Sequence, residues 1–122
     1  MARKLLVVDD ESITQRLVMY TLKPLGIEVL GAEDGATALE IAATQPIGMM
    51  LVDINLPEMD GFALIEQLKA MPHLKDVPLV TFTARNHAED EEKAKELGAV
   101  GFLYKPFSTQ ELRSLVSAYL GE

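Results

Sequence analysis

Four short apolar runs in the chain each end on a polar residue. Leu5-Leu6-Val7-Val8 leads into Asp9-Asp10, Met49-Met50-Leu51-Val52 into Asp53, Leu79-Val80-Thr81-Phe82 into Thr83, and Gly101-Phe102-Leu103-Tyr104 into Lys105. Continuous runs of this length, without alternation, describe strands covered on both faces. The pattern predicts strands over residues 4–9, 27–32, 48–53, 78–83 and 100–104, the second being the weakest. Helical spacing separates them. Ser12 with Gln15 reads as a capping box opening a helix whose stripe is Ile13, Leu17 and Tyr20, closed by Pro24 and Gly26. Asp34-Gly35 opens an alanine-rich helix that stops before Pro46. After a loop holding Pro57 and Gly61, a third helix carries Phe62, Ile65 and Leu68 on one face and ends at Pro72. The helix over 88–97 has only Ala88, Ala94 and Leu97 as inward anchors, so it is held weakly. The last helix, 108–120, pairs Ser108 with Glu111 in a capping box, and Leu112, Leu115, Val116 and Tyr119 form its face.

Strands and helices alternating five times predict a parallel sheet covered by helices on both sides. The chain, at 122 residues, is too short for an eight-unit barrel and forms one domain over 1–122. An open three-layer α/β sandwich remains, in which ligands bind beyond the carboxyl ends of the strands. Asp9, Asp10, Asp53, Thr83 and Lys105 then share one rim.

Composition narrows the setting. A net charge of -8 excludes nonspecific nucleic-acid binding, which needs a basic surface. With no cysteine there is no disulfide framework and no thiol chemistry. The apolar run after Met1-Ala2-Arg3-Lys4 is too short for a leader or a membrane span. The expectation is a soluble cytoplasmic protein with protein partners.

The rim has defined chemistry. Two carboxylates about 4 Å apart repel by roughly 4 kcal/mol at an effective dielectric near 20. Three together raise a pKa or recruit a cation. Hard oxygen donors without histidine or cysteine favour Mg²⁺, Mn²⁺ or Ca²⁺. One carboxylate can attack phosphorus as a nucleophile, with Lys105 and Thr83 meeting the phosphoryl oxygens. Asp53, alone at a strand end, is the candidate nucleophile; the adjacent Asp9 and Asp10 suit the metal.

The segments Leu6-Val7-Val8-Asp9-Asp10-Glu11, Asp53 to Gly61, Thr83-Ala84 and Lys105-Pro106-Phe107 resemble, in order, those of the receiver domain of bacterial two-component response regulators. The resemblance implies a flavodoxin-like, doubly wound, five-stranded parallel sheet in the order 2-1-3-4-5 with five helices. It implies Asp53 as phosphoacceptor and Asp10 as a direct Mg²⁺ ligand, with Asp9 acting through water and Asn55 through its backbone carbonyl. Mn²⁺ is the alternative cofactor. Thr83 and Lys105 would contact the phosphoryl group, the Lys105-Pro106 bond would be cis, and Ala84 would leave the acceptor accessible. Asn55 and Arg85 would influence phosphoryl lifetime. Thr83 and Phe102 would form the switch, with Tyr104 on the same strand face as Phe102.

The implied function is a phosphorylation-dependent signalling switch, a regulatory domain with slow self-dephosphorylation. Phosphorylation would change the surface near 88–97, 100–104 and 108–120. Its partners would be a histidine kinase or phosphotransfer protein and a downstream protein target or effector domain, without direct nucleic-acid or membrane contact. A monomer or a phosphorylation-linked dimer would fit. Two other classes compete: a small phosphatase with an aspartyl nucleophile, for which little length remains to build a cap, and a flavodoxin-like binding module, which the clustered acids disfavour.

Overall fold

The computed structural model describes residues 4–56, 59–83 and 88–120. Five strands form one parallel sheet: β1 (Lys4–Val8), β2 (Glu28–Ala32), β3 (Met49–Asp53), β4 (Leu79–Thr83) and β5 (Gly101–Tyr104). Their spatial order is β2-β1-β3-β4-β5, as the resemblance implied. Five helices connect and follow them: α1 (Ser12–Leu22), α2 (Gly35–Thr44), α3 (Gly61–Ala70), α4 (Ala88–Glu96) and α5 (Thr109–Leu120). Among the described residues no helix is long and apolar enough to cross a membrane.

The pleat sorts each strand into two cores. Leu5, Val7, Met49, Leu51, Val80 and Phe82 pack with Val18 and Leu22 of α1 and Leu112 and Val116 of α5. Leu6, Val8, Met50, Val52 and Leu79 face the other way, against Ala38, Ala42, Leu64, Ile65, Leu68 and Ala94. Because every residue of β3 and β4 is buried, neither central strand could alternate with polar residues. That is why these runs read as unbroken.

Helix starts follow side-chain chemistry in three places. Asp34 accepts from the Thr37 amide at 2.8 Å, which holds its carboxyl below the usual carboxylate range. Asp60 accepts from the Phe62 amide at 3.0 Å. Ser108 and Glu111 exchange bonds of 2.8 and 3.0 Å, completing the expected capping box of α5. Burying Leu112 and Val116 contributes roughly 1.5–3 kcal/mol for each side chain. In α4 the sole fully buried side chain is the methyl of Ala94; Leu97 is half-buried, and Ala88 is exposed rather than an anchor.

α1 corrects two expectations. Its N-cap is Glu11, without a side-chain capping bond, so Ser12 and Gln15 form no capping box. Its expected core stripe faces outward: Ile13 is 79% and Tyr20 81% exposed, and Leu17 is also exposed. The sheet receives Val18, Thr21 and Leu22 instead. Ile13, Leu17 and Tyr20 recur at helical spacing, but so do Gln15, Val18 and Leu22, nearly opposite at 100° per residue. Periodicity finds a face and leaves open which of two is covered.

Candidate functional site

The strand order places the ends of β1 and β3 side by side, where the chain reverses its direction of winding. Both ends use the same local device. Asp9 Oδ1 accepts from the Glu11 amide at 2.9 Å, and Asp53 Oδ1 accepts from the Asn55 amide at 2.8 Å. Each aspartate turns back onto its own backbone two residues on, an Asx turn. The second oxygens, Asp9 Oδ2 and Asp53 Oδ2, are thereby left facing one cation.

That cation is Lys105. Its Nζ lies 2.7 Å from Asp9 Oδ2, 3.0 Å from Asp53 Oδ2 and 3.4 Å from Glu11 Oε1. It reaches there from the end of β5, where the Lys105 amide donates to the Thr83 carbonyl at 2.9 Å and the Lys105-Pro106 bond is cis. Its ammonium also lies 5.1 Å from the Phe82 ring centroid. Burial pulls the Lys105 pKa down, but the bonds to Asp9 and Asp53 outweigh it and hold the pKa above the usual lysine range. Burial likewise dominates at Asp9, raising its carboxyl above the usual range despite Lys105 and the Glu11 amide.

Asp9, Asp10 and Asp53 each present a carboxylate oxygen, all within 4.8 Å of one another. With Glu11 also beside Lys105, the carboxylates here outnumber the single ammonium and leave an excess of negative charge. An all-oxygen cluster with that excess fits a hard divalent cation such as Mg²⁺, which commonly takes one or two carboxylates and keeps several waters. Asp9 is fully buried and Asp53 is 3% exposed, whereas Asp10 is open to solvent, so the cluster has a wet side for those waters.

Thr83, buried at the end of β4, accepts a hydrogen bond from Asn55 Nδ2 at 3.0 Å. Asp53, which accepts from the Asn55 main-chain amide, ends the strand beside β4, and Asn55 in turn is bonded to Thr83. Behind Thr83 is a small cavity of about 10 Å³ whose walls include Ile54, Phe102 and Tyr104. Phe102 and Tyr104 do share a strand face, as their spacing predicts. The structure brings together all the rim residues singled out from the sequence: Asp9, Asp10, Asp53, Asn55, Thr83 and Lys105. Ala84 and Arg85, together with Pro57 and Glu58 of the matching segment, lie outside the described residues. Sequence reasoning missed Glu11 as a neighbour of Lys105, and it gave Gln15 the wrong duty. Adjacency to Asp9-Asp10 was the only signal for Glu11.

Comparison with known proteins agrees with this geometry. The family described as response regulator receiver domain matches residues 5–117. A probable cyclic di-GMP phosphodiesterase of Vibrio cholerae is 37% identical over 95% of the chain. Chemotaxis protein CheY1 of Helicobacter pylori is 35% identical, with 97% of each chain covered. The chain spans 26% of that phosphodiesterase and about half of several other curated relatives. Among solved structures, the receiver domain of the Pseudomonas aeruginosa sensor histidine kinase PA1611 superposes with a TM-score of 0.87 at 28% identity, each chain fully covered. It holds a magnesium ion in its active-site cleft.

Proposed function

Because the chain belongs to the response regulator receiver family, a family of phosphorylation-dependent signalling domains, we propose that Asp53 is its phosphoacceptor. The carrying observation is the clustering of the Asp9, Asp10 and Asp53 carboxylates, with Lys105 bridging Asp9 and Asp53 and with Asn55 bonded to Thr83 at the end of the neighbouring strand. One Asp53 oxygen attacks phosphorus, forming a P–O bond as the bond to the donor's histidine nitrogen or acyl oxygen breaks. Asp9, Asp10, Asp53 and the Asn55 backbone carbonyl would hold Mg²⁺, or Mn²⁺, which when bound would supply positive charge for the phosphoryl oxygens.

Lys105 has three carboxylate partners before the reaction, Asp9, Asp53 and, at longer range, Glu11. When Asp53 becomes an acyl phosphate, its ammonium keeps Asp9 and moves from Asp53 Oδ2 to a phosphoryl oxygen. Thr83 turns its hydroxyl from the Asn55 amide toward a second oxygen. That inward movement enlarges the cavity behind it, which the Phe102 ring fills. Phe102→Ala is expected to keep phosphoryl uptake but lose the amide-shift changes along α4 that beryllofluoride produces in the wild type. Unchanged shifts would return Phe102 to plain core packing. Slow hydrolysis of the acyl phosphate, with the Asn55 side chain beside the incoming water, returns the switch to rest.

The domain is regulatory, its donors being histidine kinases or phosphotransfer proteins and its readers a protein target or an effector domain. α1 leaves the acidic loop directly, so its exposed Ile13, Leu17 and Tyr20 are continuous with the rim where a donor must reach Asp53. Arg16 and Lys23 flank this face, which a phosphohistidine protein with apolar and acidic side chains covers. Ile13→Glu with Tyr20→Glu should slow uptake from a phosphorylated histidine kinase at least about tenfold while leaving uptake from acetyl phosphate unchanged. Equal slowing with both donors would remove this assignment.

The function itself is tested by intact mass after incubation with acetyl phosphate, with Mg²⁺ or with a chelator. One added phosphoryl group is expected with the metal and essentially none without it. Rapid donor turnover without an adduct would favour a phosphatase, and an outcome indifferent to metal would favour a binding module.

A further inference from the structure

Gln15 has no capping duty in α1, yet its side chain is placed with two bonds. Its Nε2 donates to the Asp9 carbonyl at 2.7 Å and to the Ala32 carbonyl at 3.1 Å. Both partners are acceptors, which settles which end of the carboxamide carries the hydrogens. Ala32 O also accepts from the Asp9 amide at 3.0 Å. One side chain thus ties α1 to the carboxyl ends of both β1 and β2, where the acidic loop begins.

The neighbour across from it explains a second oddity. Gly31 interrupts β2, where a glycine weakens a strand unless something approaches closely. A Cβ there would lie 2.2 Å from Gln15 Oε1 and 3.0 Å from its Cδ. Gly31 is the space in which the carboxamide sits.

The Asp9 carbonyl belongs to the Asp9–Asp10 peptide, whose atoms are coplanar through to the Asp10 Cα. Fixing that oxygen fixes the direction in which Asp10 leaves the strand. Among the described residues no hydrogen bond holds the Asp10 carboxylate, so the plane that sets the Asp10 Cα is the fixed point from which it reaches the cluster. Mg²⁺ tolerates little departure from octahedral geometry, and losing a group that orients a ligand typically costs about 10–100-fold in metal affinity.

We propose that Gln15 is a positioning residue for the divalent-cation site, orienting Asp9 and Asp10 through the Asp9 carbonyl from a seat that Gly31 provides. This role rests on the reading of Asp9, Asp10 and Asp53 as the Mg²⁺ site. The test is calorimetric titration with Mg²⁺ of the wild type, Gln15→Met, Gly31→Ala and the double variant, with urea midpoints in parallel. Gln15→Met keeps the volume and removes both donors; Gly31→Ala displaces the carboxamide from the other side. Each single variant should weaken Mg²⁺ binding about tenfold, and the double variant no more than either, since both act on one contact. In phosphoryl uptake from acetyl phosphate, the Mg²⁺ concentration for half-maximal rate should rise by the same factor. The rate at saturating Mg²⁺ should stay within about twofold of wild type. A wild type that binds Mg²⁺ beside variants that bind it equally well, whatever their urea midpoints, would reduce Gln15 to a structural brace. Additive losses in the double variant would refute the shared contact. A wild type that binds no Mg²⁺ would overturn the site reading, and with it this role.

Discussion

Asp53→Ala is expected to accept no phosphoryl group under conditions that modify the wild type, a loss on the order of 10³-fold or more in rate. Other carboxylates are close enough to raise the question of substitution. Asp9 is fully buried, and its Oδ2 is held 2.7 Å from Lys105. Asp10 is open to solvent and has neither Lys105 nor Thr83 as a hydrogen-bonded neighbour among the described residues. Asp53 has the Lys105 ammonium at 3.0 Å, accepts from the Asn55 amide and ends the strand next to β4, whose last residue Thr83 is bonded to Asn55. Charge that develops on the phosphoryl oxygens therefore meets donors already in position, which is where electrostatic catalysis is largest. Intact mass with acetyl phosphate and Mg²⁺ reads the result. An adduct on Asp53→Ala at a rate near wild type would move the acceptor elsewhere on the rim.

Gly61→Ala is expected to cost about 3 kcal/mol of stability, at the upper end of what overpacking usually does. A Cβ at Gly61 would lie 2.3 Å from the Ile54 Cα, 2.6 Å from its carbonyl oxygen and 2.7 Å from its carbonyl carbon. All three are main-chain atoms, so no side chain can swing aside. Ile54 separates Asp53 from Asn55, and Asn55 bridges to Asp60 at the start of α3. Relief by backbone movement therefore shifts the segment that follows the acceptor and carries the Asn55 carbonyl. Urea denaturation should show the loss, and Mg²⁺ binding should weaken with it. A loss below about 1 kcal/mol would mean that the two segments separate freely, and that the loop is not braced by α3.

Much of this was legible from the chain. The buried runs located the strands because β3 and β4 are covered on both faces, and their terminal polar residues located the rim because parallel strands end together. Ser108 and Glu111 announced α5 because a capping box is local chemistry. The order of the strands came from resemblance, since spacing alone does not say that β1 lies between β2 and β3. The covered face of α1 was misread because two stripes fit the same period. The roles of Gln15 and Gly31 were hidden for a related reason: they meet across two elements 16 positions apart, and local capping rules offered Gln15 a simpler use. The Lys105 bridge was equally invisible, because it depends on which oxygen each Asx turn leaves free.

One covalent bond, between phosphorus and the Asp53 carboxylate, decides the function, and borohydride reduction locates it. Treating the acetyl phosphate-modified protein with borohydride converts an aspartyl phosphate to homoserine, which peptide mapping then places in the chain. Homoserine at position 53, dependent on Mg²⁺ during the modification, is the predicted result. Homoserine at position 9, 10 or 60, or its absence from a protein that carries the phosphoryl mass, would contradict the account.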